Sequence, residues 1–225
     1  MNNLSYINMD AIILAGGKGN RMETALPKAL VAVKGKPILA WQIDYLLKSG
    51  IEKIVLAIGH KSKEIIDYVK KNHKDVQIDF TIEEDLLGTA GGLKLALQKC
   101  SSEFVVALNC DDITDIDISE LQEPKENKIC VAHPQLQFGR IHEKDGYAVF
   151  EEKPILKDWV SCGWYFLNRE EMLKSLPDKG MLEFDVFPEM KIRLFKHEGF
   201  WKTVNTQKDI LEFEKIELPG LLKSS

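Results

Sequence analysis

The feature that most constrains the fold is a short apolar run that ends directly in a cluster of glycines. Residues 11–15 read AIILA, and Gly16, Gly17 and Gly19 follow. An apolar run of this length bounded by glycines is typical of a parallel strand that is buried on both faces. A loop that leaves the carboxyl end of such a strand lies where open α/β sheets bind ligands. We therefore expect a parallel sheet with a ligand site beside this loop.

The rest of the first half alternates strand-like and helix-like segments. Apolar runs predict further strands over residues 53–58, 76–82 and 103–109. Helical patterns lie from Pro37 to Gly50, from Ser62 onward, and over residues 91–99. Repeated strand–helix units imply right-handed crossovers and a sheet that is covered on both faces. The predicted fold is α/β: a Rossmann-like mixed, mostly parallel sheet with helices on both faces.

The second half predicts shorter, antiparallel-rich elements. Short strands are expected over residues 129–132, 139–142, 147–151 and 159–167. The turn signal Asp145-Gly146 joins two of them, Asn168 begins a short helix, and a final helix starts at Thr206. No repeat or linker divides the chain. It is therefore interpreted as a single domain over residues 1–225 with a small antiparallel-rich lobe.

Composition excludes several broad classes of protein. A net charge of −5 argues against nucleic-acid and anionic-membrane binding, both of which favour a basic face. The cysteines at 100, 110, 130 and 162 include no close pair, so we expect reduced, buried thiols rather than a metal site or disulfides. No stretch resembles a signal peptide or a membrane span, and the expected location is the cytoplasm.

The glycine cluster is also suited to hold phosphate groups. Glycines let the backbone approach a ligand closely and direct N–H groups at phosphate oxygens. Arg21 and Lys28 follow and add the cationic donors that a triphosphate requires. The spacing lacks the Gly-Lys-Ser/Thr ending of a P-loop and the glycine order of a dinucleotide-binding fold. From these residues alone, a glycine-rich turn with incidental cations remains the alternative.

The motif continues beyond the loop and then resembles a known family. Residues 14–22 read LAGGKGNRM, Pro27-Lys28 follows, and residues 35–38 read GKPI. This pattern is similar to the signature of the sugar-1-phosphate nucleotidyltransferases. The resemblance implies transfer of a nucleoside monophosphate from a nucleoside triphosphate to a sugar 1-phosphate, with release of pyrophosphate. The implied catalytic residues are Arg21, Lys28 and Asp111.

The resemblance implies that two glycine-rich segments bind the nucleotide. Residues 87–92 read LGTAGG, similar to the family segment that contacts the base and the sugar. The implied nucleotide-binding residues are Leu14, Ala15, Gly16, Gly17, Gly19, Gly88 and Thr89. GTP or CTP is favoured, because the overall motif resembles heptose- and mannose-1-phosphate guanylyltransferases and residues 200–206 resemble glucose-1-phosphate cytidylyltransferases. The nucleotide-binding half is expected to span about 9–125.

A magnesium ion is implied by two further positions. Asp111, at the end of a predicted strand, matches the family's metal-binding aspartate, although Cys110 replaces the usual glycine before it. Asn205 matches the second ligand position and would supply an amide oxygen. Without the resemblance, the acidic residues near Asp111 would be interpreted as a solvated loop, and Asn205 as a residue that only precedes the helix at Thr206.

The acceptor side is implied by motifs in the second half, about 126–217. The resemblance makes four residues candidates for binding the sugar phosphate: Glu152, Lys153, Gly163 and Glu183. Ser161 stands where the family usually has an asparagine, so the acceptor could be a non-sugar phosphate such as phosphocholine. The other alternative is a catalytically silent regulatory homologue, which would be expected to lack Arg21, Lys28 or Asp111, and all three are present. Family members often form dimers or tetramers, so a homodimer or a higher homo-oligomer stays open, and no residue pattern identifies an interface.

Overall fold

The structure is a computed structural model that describes residues 9–17, 19, 22 and 25–222. Arg21, one of the expected catalytic residues, lies outside the described residues. The strands are β1 Asp10–Ala15, β2 Ala32–Val33, β3 Lys36–Pro37, β4 Lys53–Ile58, β5 Gln77–Ile82, β6 Phe104–Asn109, β7 Asp112–Thr114, β8 Lys128–Ala132, β9 Arg140–Lys144, β10 Tyr147–Glu151, β11 Val160–Asn168, β12 Arg193–Lys196 and β13 Trp201–Thr203. The α-helices are α1 Ile38–Lys48, α2 Ser62–Asn72, α3 Gly88–Leu97, α4 Arg169–Ser175 and α5 Gln207–Lys215.

A seven-stranded central sheet has the order β12-β8-β11-β6-β1-β4-β5. Strands β6, β1, β4 and β5 are mutually parallel, and β12 is parallel to β8. Only β11 runs antiparallel to its neighbours, β6 and β8. Three two-stranded antiparallel sheets, β9–β10, β7–β13 and β2–β3, complete the described strands. The expected mixed, mostly parallel α/β fold is confirmed.

Helices cover both faces of the sheet because the central strands are apolar on both sides. Ile12 and Ile13 of β1 are both fully buried, but they contribute to two different hydrophobic clusters. The cluster around Ile13 includes the apolar sides of α1 and α2, whereas the cluster around Ile12 includes those of α3 and α4. Since successive residues of a strand point to opposite faces, the two clusters form two separate core layers.

The order of the strands defines a switch point between β1 and β6. After β1 the chain adds β4 and β5 on one side, and β6 then pairs with the other side of β1. The segments that follow β1 and β6 therefore leave the same edge of the sheet side by side, where open α/β sheets bind ligands. The backbone N–H of Cys110 donates to Leu14 O at 3.1 Å, which ties the two segments together.

Most predicted elements are present, with differences at the edges. Helix α3 begins at Gly88 rather than at residue 91, and β12 was not predicted because it is a four-residue edge strand with little apolar pattern. Asn168 caps α4 as expected, and Thr206 and Asp209 form a capping box at α5. All four cysteines are buried and free. Among the described helices, none combines the length and apolar character of a membrane span.

Candidate active site

The centre of the site is the ammonium group of Lys28, held between two side-chain oxygens. Lys28 Nζ donates to Asp111 Oδ2 at 2.5 Å and to Asn205 Oδ1 at 2.6 Å. Lys28 lies in a 3-10 turn shortly after the glycine loop, Asp111 follows β6, and Asn205 follows β13. Three segments that are distant in sequence therefore meet at the switch point. The structure brings together two of the expected catalytic residues and both expected metal ligands.

This arrangement fits a divalent cation. The carboxylate oxygen of Asp111 and the amide oxygen of Asn205 face one shared point, which the positively charged Lys28 ammonium occupies. Hard oxygen donors of this kind suit magnesium, which usually takes only one or two protein ligands and completes its shell with substrate phosphates and water. Within the described part of the chain, no group of three or more His, Cys, Asp or Glu residues could hold a metal.

Asp112 is buried directly behind this centre. Its Oδ1 accepts a hydrogen bond from Trp201 Nε1 at 2.9 Å, and its backbone carbonyl accepts one from Gln42 Nε2 of α1. Burial and the neighbouring Asp111 carboxylate raise the pKa of Asp112 well above its usual range. Asp112 thus anchors the loop that carries Asp111 to α1 and β13.

Gly163, an expected sugar contact, packs against the same aspartate. Its φ is +72°, and a Cβ at this position would lie 2.0 Å from Asp112 Oδ2. Any side chain here would be strained and would collide with a buried carboxylate. The packing therefore requires a glycine at position 163, independently of any contact with a sugar.

The glycine loop after β1 is tightly surrounded except at Gly17. A Cβ on Gly16 would lie 2.7 Å from Glu83 Oε1, and one on Gly19 would lie 2.9 Å from Lys28 Cβ. A Cβ on Gly17 would meet no described atom within 4 Å. Leu14 and Ala15 are the last residues of β1 and place this loop at the sheet edge. Among the described residues, therefore, none closes off this side of Gly17 from a ligand.

Glu83 is a candidate that the sequence interpretation missed. It follows β5, and its Oε2 accepts a hydrogen bond from Leu87 N at 3.0 Å. Its Oε1 lies 2.7 Å or less from the positions that a Cβ on Gly16 or Gly92 would occupy. Partial burial raises the pKa of Glu83. The signal in the sequence was an acidic residue directly between a predicted strand and the LGTAGG segment.

Thr89 and Glu183 meet although the resemblance assigns them to different substrates. Thr89 Oγ1 lies 3.5 Å from Glu183 Oε2 and also accepts a hydrogen bond from Leu182 N at 2.9 Å. The Tyr165 hydroxyl donates to Glu183 Oε1 at 3.2 Å, and burial raises the pKa of Tyr165. Gly88, with φ +75°, leaves no room for a side chain beside Gly180 O. The nucleotide and acceptor segments are therefore adjacent here.

Lys153 is not part of the central cluster. Its ammonium pairs with Glu212 Oε1 of α5 at 2.7 Å and lowers the pKa of that carboxyl group. Glu152, its neighbour, lies beside Gly139 at the base of the β9–β10 hairpin. Glu212 also lines a cavity of about 570 Å³ between α5 and β13. Glu212 is a partner that no local sequence pattern could reveal.

Comparison with known proteins identifies the family. Residues 11–142 match the family model of the MobA-like NTP transferase domain. The chain belongs to this family. It is 30% identical over 219 residues to D-glycero-alpha-D-manno-heptose 1-phosphate guanylyltransferase of Campylobacter jejuni, and the match covers 91% of this chain and 98% of that relative. The expected family resemblance is thus confirmed, and the chain is a nucleotidyltransferase.

Further relatives of this nucleotidyltransferase agree in sequence and fold. The mannose-1-phosphate guanyltransferase of Schizosaccharomyces pombe is 31% identical over 247 residues, which cover 96% of this chain but only 66% of that protein. The crystal structure of HddC from Yersinia pseudotuberculosis complexed with GMP-PN superposes with a TM-score of 0.77. That comparison covers 92% of this chain and 98% of HddC at 24% identity, and it supports the fold.

Proposed function

We propose that this nucleotidyltransferase transfers GMP from GTP to a heptose 1-phosphate or mannose 1-phosphate and releases pyrophosphate. The observation that carries the proposal is the meeting of Lys28, Asp111 and Asn205 at the switch point of the sheet. Support for guanine and for these sugars comes from the relatives, which include a heptose-1-phosphate guanylyltransferase matched over 98% of its length. The four buried free thiols fit a reducing compartment, and we propose the cytoplasm.

In the proposed reaction, a phosphate oxygen of the sugar 1-phosphate attacks the α-phosphorus of GTP. The new P–O bond forms as the bond to the β-phosphate breaks, so that pyrophosphate leaves with the electron pair. Because the nucleophile is already an anion, no general base is required. Catalysis then rests on positioning the two substrates and on compensating their negative charge.

We assign the charge compensation to two cationic side chains, a magnesium ion and the backbone of the glycine loop. Lys28 would exchange its protein partners for phosphate oxygens of GTP, and Arg21 would contact the same triphosphate. Asp111 and Asn205 would hold a magnesium ion, which supplies positive charge beside the reacting phosphate when it is bound. Gly16, Gly17 and Gly19 would contribute backbone N–H groups to the triphosphate.

We propose that Glu83 recognises the base. With the α-phosphate near Asp111 after β6, the acceptor would lie over β11, and the nucleoside would extend toward the β4–β5 side of the sheet, where Glu83 lies. A carboxylate accepts two hydrogen bonds from guanine, one from N1–H and one from the 2-amino group. Neutral cytosine offers only one donor beside a ring acceptor. The half-buried Glu83 carboxylate therefore favours GTP over CTP.

On the acceptor side, we propose that Glu183, Glu152, Lys153 and Gly163 bind the sugar phosphate. Thr89 already contacts Glu183, so the nucleotide and acceptor would be held next to each other. Lys153 would have to leave Glu212 to reach a phosphate group. The binding of an acceptor would thus compete with an ion pair within the protein.

A pyrophosphate-release assay tests the proposal with each nucleoside triphosphate in turn. Heptose 1-phosphate, mannose 1-phosphate, glucose 1-phosphate and phosphocholine serve as acceptors in the presence of magnesium. We expect release only with GTP and one of the first two acceptors. Equal release with CTP would contradict the proposed base, and a preference for phosphocholine would contradict the proposed acceptor.

A further inference from the structure

The hairpin formed by β9 and β10 has little support from the rest of the described chain. It is a separate two-stranded sheet, and nine of its ten strand residues are exposed, with Val149 the exception. An isolated two-stranded hairpin is marginally stable in water, and independent stability requires a third strand or a packed face. Within the described residues, no other strand pairs with β9 or β10.

The hairpin also exposes large apolar side chains. Phe150 and Ile141 pair directly across the two strands on one face, and their exposed fractions are 74% and 60%. Phe138 and Ile155 at the base of the hairpin are 76% and 70% exposed. Exposed apolar side chains that lie next to each other, as those of Ile141 and Phe150 do, mark interaction sites on protein surfaces. The hairpin therefore presents an apolar face for which the described chain offers no cover.

The turn geometry determines which backbone groups of the hairpin are free. Asp145 and Gly146 both have positive φ, +53° and +83°, as a two-residue type I′ turn requires. Such a turn closes on a hydrogen-bonded pair, here Lys144 and Tyr147, and hydrogen-bonded and non-hydrogen-bonded pairs then alternate along the strands. The backbone N–H and C=O groups of Ala148 and Phe150 therefore point away from β9 and form the free edge of β10.

The charged residues of β9 and β10 indicate which of the two strands can pair with the same strand of a second copy. Suppose that β9 paired antiparallel with β9 of a second copy, with the two-fold axis at His142. Arg140 of each copy would then lie opposite Lys144 of the other. Like charges directly opposite each other destabilise a sheet. If β10 paired antiparallel with β10 of a second copy, with the two-fold axis at Val149, Ala148 of each copy would lie opposite Phe150 of the other. Tyr147 would lie opposite the partner's Glu151, so no like charges would face each other.

We propose that the chain forms a homodimer in which β10 pairs antiparallel with β10 of a second copy, about a two-fold axis at Val149. Ala148 and Phe150 would each exchange backbone hydrogen bonds with the partner, giving a four-stranded sheet across the interface. Ile141 and Phe150 of both copies would share one face of that sheet. The contact is self-complementary, as a two-fold interface must be. This proposal does not depend on the identity of the substrates.

Analytical ultracentrifugation of the full chain over about 1–100 µM tests the proposal. We expect a concentration-dependent dimer. The variants Val149→Glu and Val149→Lys each place two like charges at the two-fold axis, and each should raise the dimer Kd at least about tenfold. An equimolar mixture of the two variants should restore dimers, because opposite charges then face each other.

The variant His142→Glu is the matched control, since it places the same charge on the neighbouring strand, away from the axis, and should leave the dimer intact. Melting temperatures establish that all variants are folded. A wild-type chain that stays monomeric at every concentration overturns the proposal, and so does a dimer that Val149→Glu leaves unchanged. If both variants are monomeric and their mixture is too, the two β10 strands do not face each other and the proposal is wrong.

Discussion

The two halves of the site are built in different ways. Around Lys28, Asp111 follows β6, whose central residues are buried, and Lys28 and Asp111 have side-chain exposures of only 14% and 22%. Around Lys153, the residues follow an exposed hairpin, and their nearest charged partner is Glu212 on the last α-helix. Lys28 and Asp111 on the nucleotide side are positioned next to the core, whereas Lys153 on the acceptor side is positioned by an ion pair at the surface.

This difference has a chemical consequence. Groups that are fixed by a packed core act on developing charge without having to reorganise, and such preorganisation is the largest contribution in many enzymes. A lysine that is engaged in a surface ion pair must first exchange one partner for another. We therefore expect changes on the nucleotide side to lower the rate, and changes on the acceptor side to alter the KM of the acceptor.

The largest expected effect tests the nucleotide side. Asp111→Asn keeps the shape of the side chain but removes the negative charge that would hold magnesium, and we expect kcat/KM to fall by about 10² to 10³. Asp75→Asn removes an equally negative but exposed carboxylate before β5 and serves as the control. If Asp111→Asn kept near-normal magnesium-dependent pyrophosphate release, the proposed role of Asp111 would be wrong. The expected difference between the nucleotide side and the acceptor side would then have no basis.

An intermediate effect concerns the choice of base. Glu83→Gln replaces one acceptor oxygen by an amide donor, so guanine loses a hydrogen bond and gains an unfavourable contact. We expect kcat/KM for GTP to fall about tenfold or more, and the preference for GTP over CTP to decrease. Glu84→Gln, the adjacent exposed residue, is the matched control. An unchanged ratio of GTP to CTP activity would show that another residue selects the base.

The smallest effect should appear on the acceptor side. Glu212→Gln weakens the ion pair that holds Lys153, and we expect the KM of the acceptor to fall about two- to fivefold while the KM of GTP stays constant. Glu214→Gln removes a carboxylate from the same helix without touching Lys153. A rise in the acceptor KM would instead indicate that Glu212 positions Lys153 for binding.

Local patterns in the sequence were sufficient for most of the fold. The apolar runs of β1, β4 and β6 are long enough to predict buried parallel strands, and the glycines and caps mark where they and the helices end. Strand β12 could not be predicted in the same way, because its pairing with β8 at the sheet edge depends on tertiary structure. The expected boundary near residue 125, between the nucleotide-binding half and the sugar-phosphate-binding half of the single domain, stays a prediction.

The places of the candidate site residues were predictable at strand ends and not where they depend on distant pairs. The position of Asp111 after β6 follows from the sequence pattern, whereas its role as a metal ligand is implied only by the resemblance and stays a prediction. The contact of Lys28 with Asn205 joins residues 177 positions apart, and that of Lys153 with Glu212 joins residues 59 positions apart. No periodicity or spacing connects residues at such separations. Glu83 was missed because its contacts depend on the close approach of Gly16 and Gly92, which the sequence does not show.

The position of the Lys28 ammonium has a consequence for the order of binding. It neutralises the Asp111 carboxylate and satisfies the Asn205 amide oxygen. We infer that a divalent ion held by Asp111 and Asn205 would have to displace the Lys28 ammonium, and that the triphosphate would then be the anion that Lys28 contacts. Metal and nucleotide would enter as a single event.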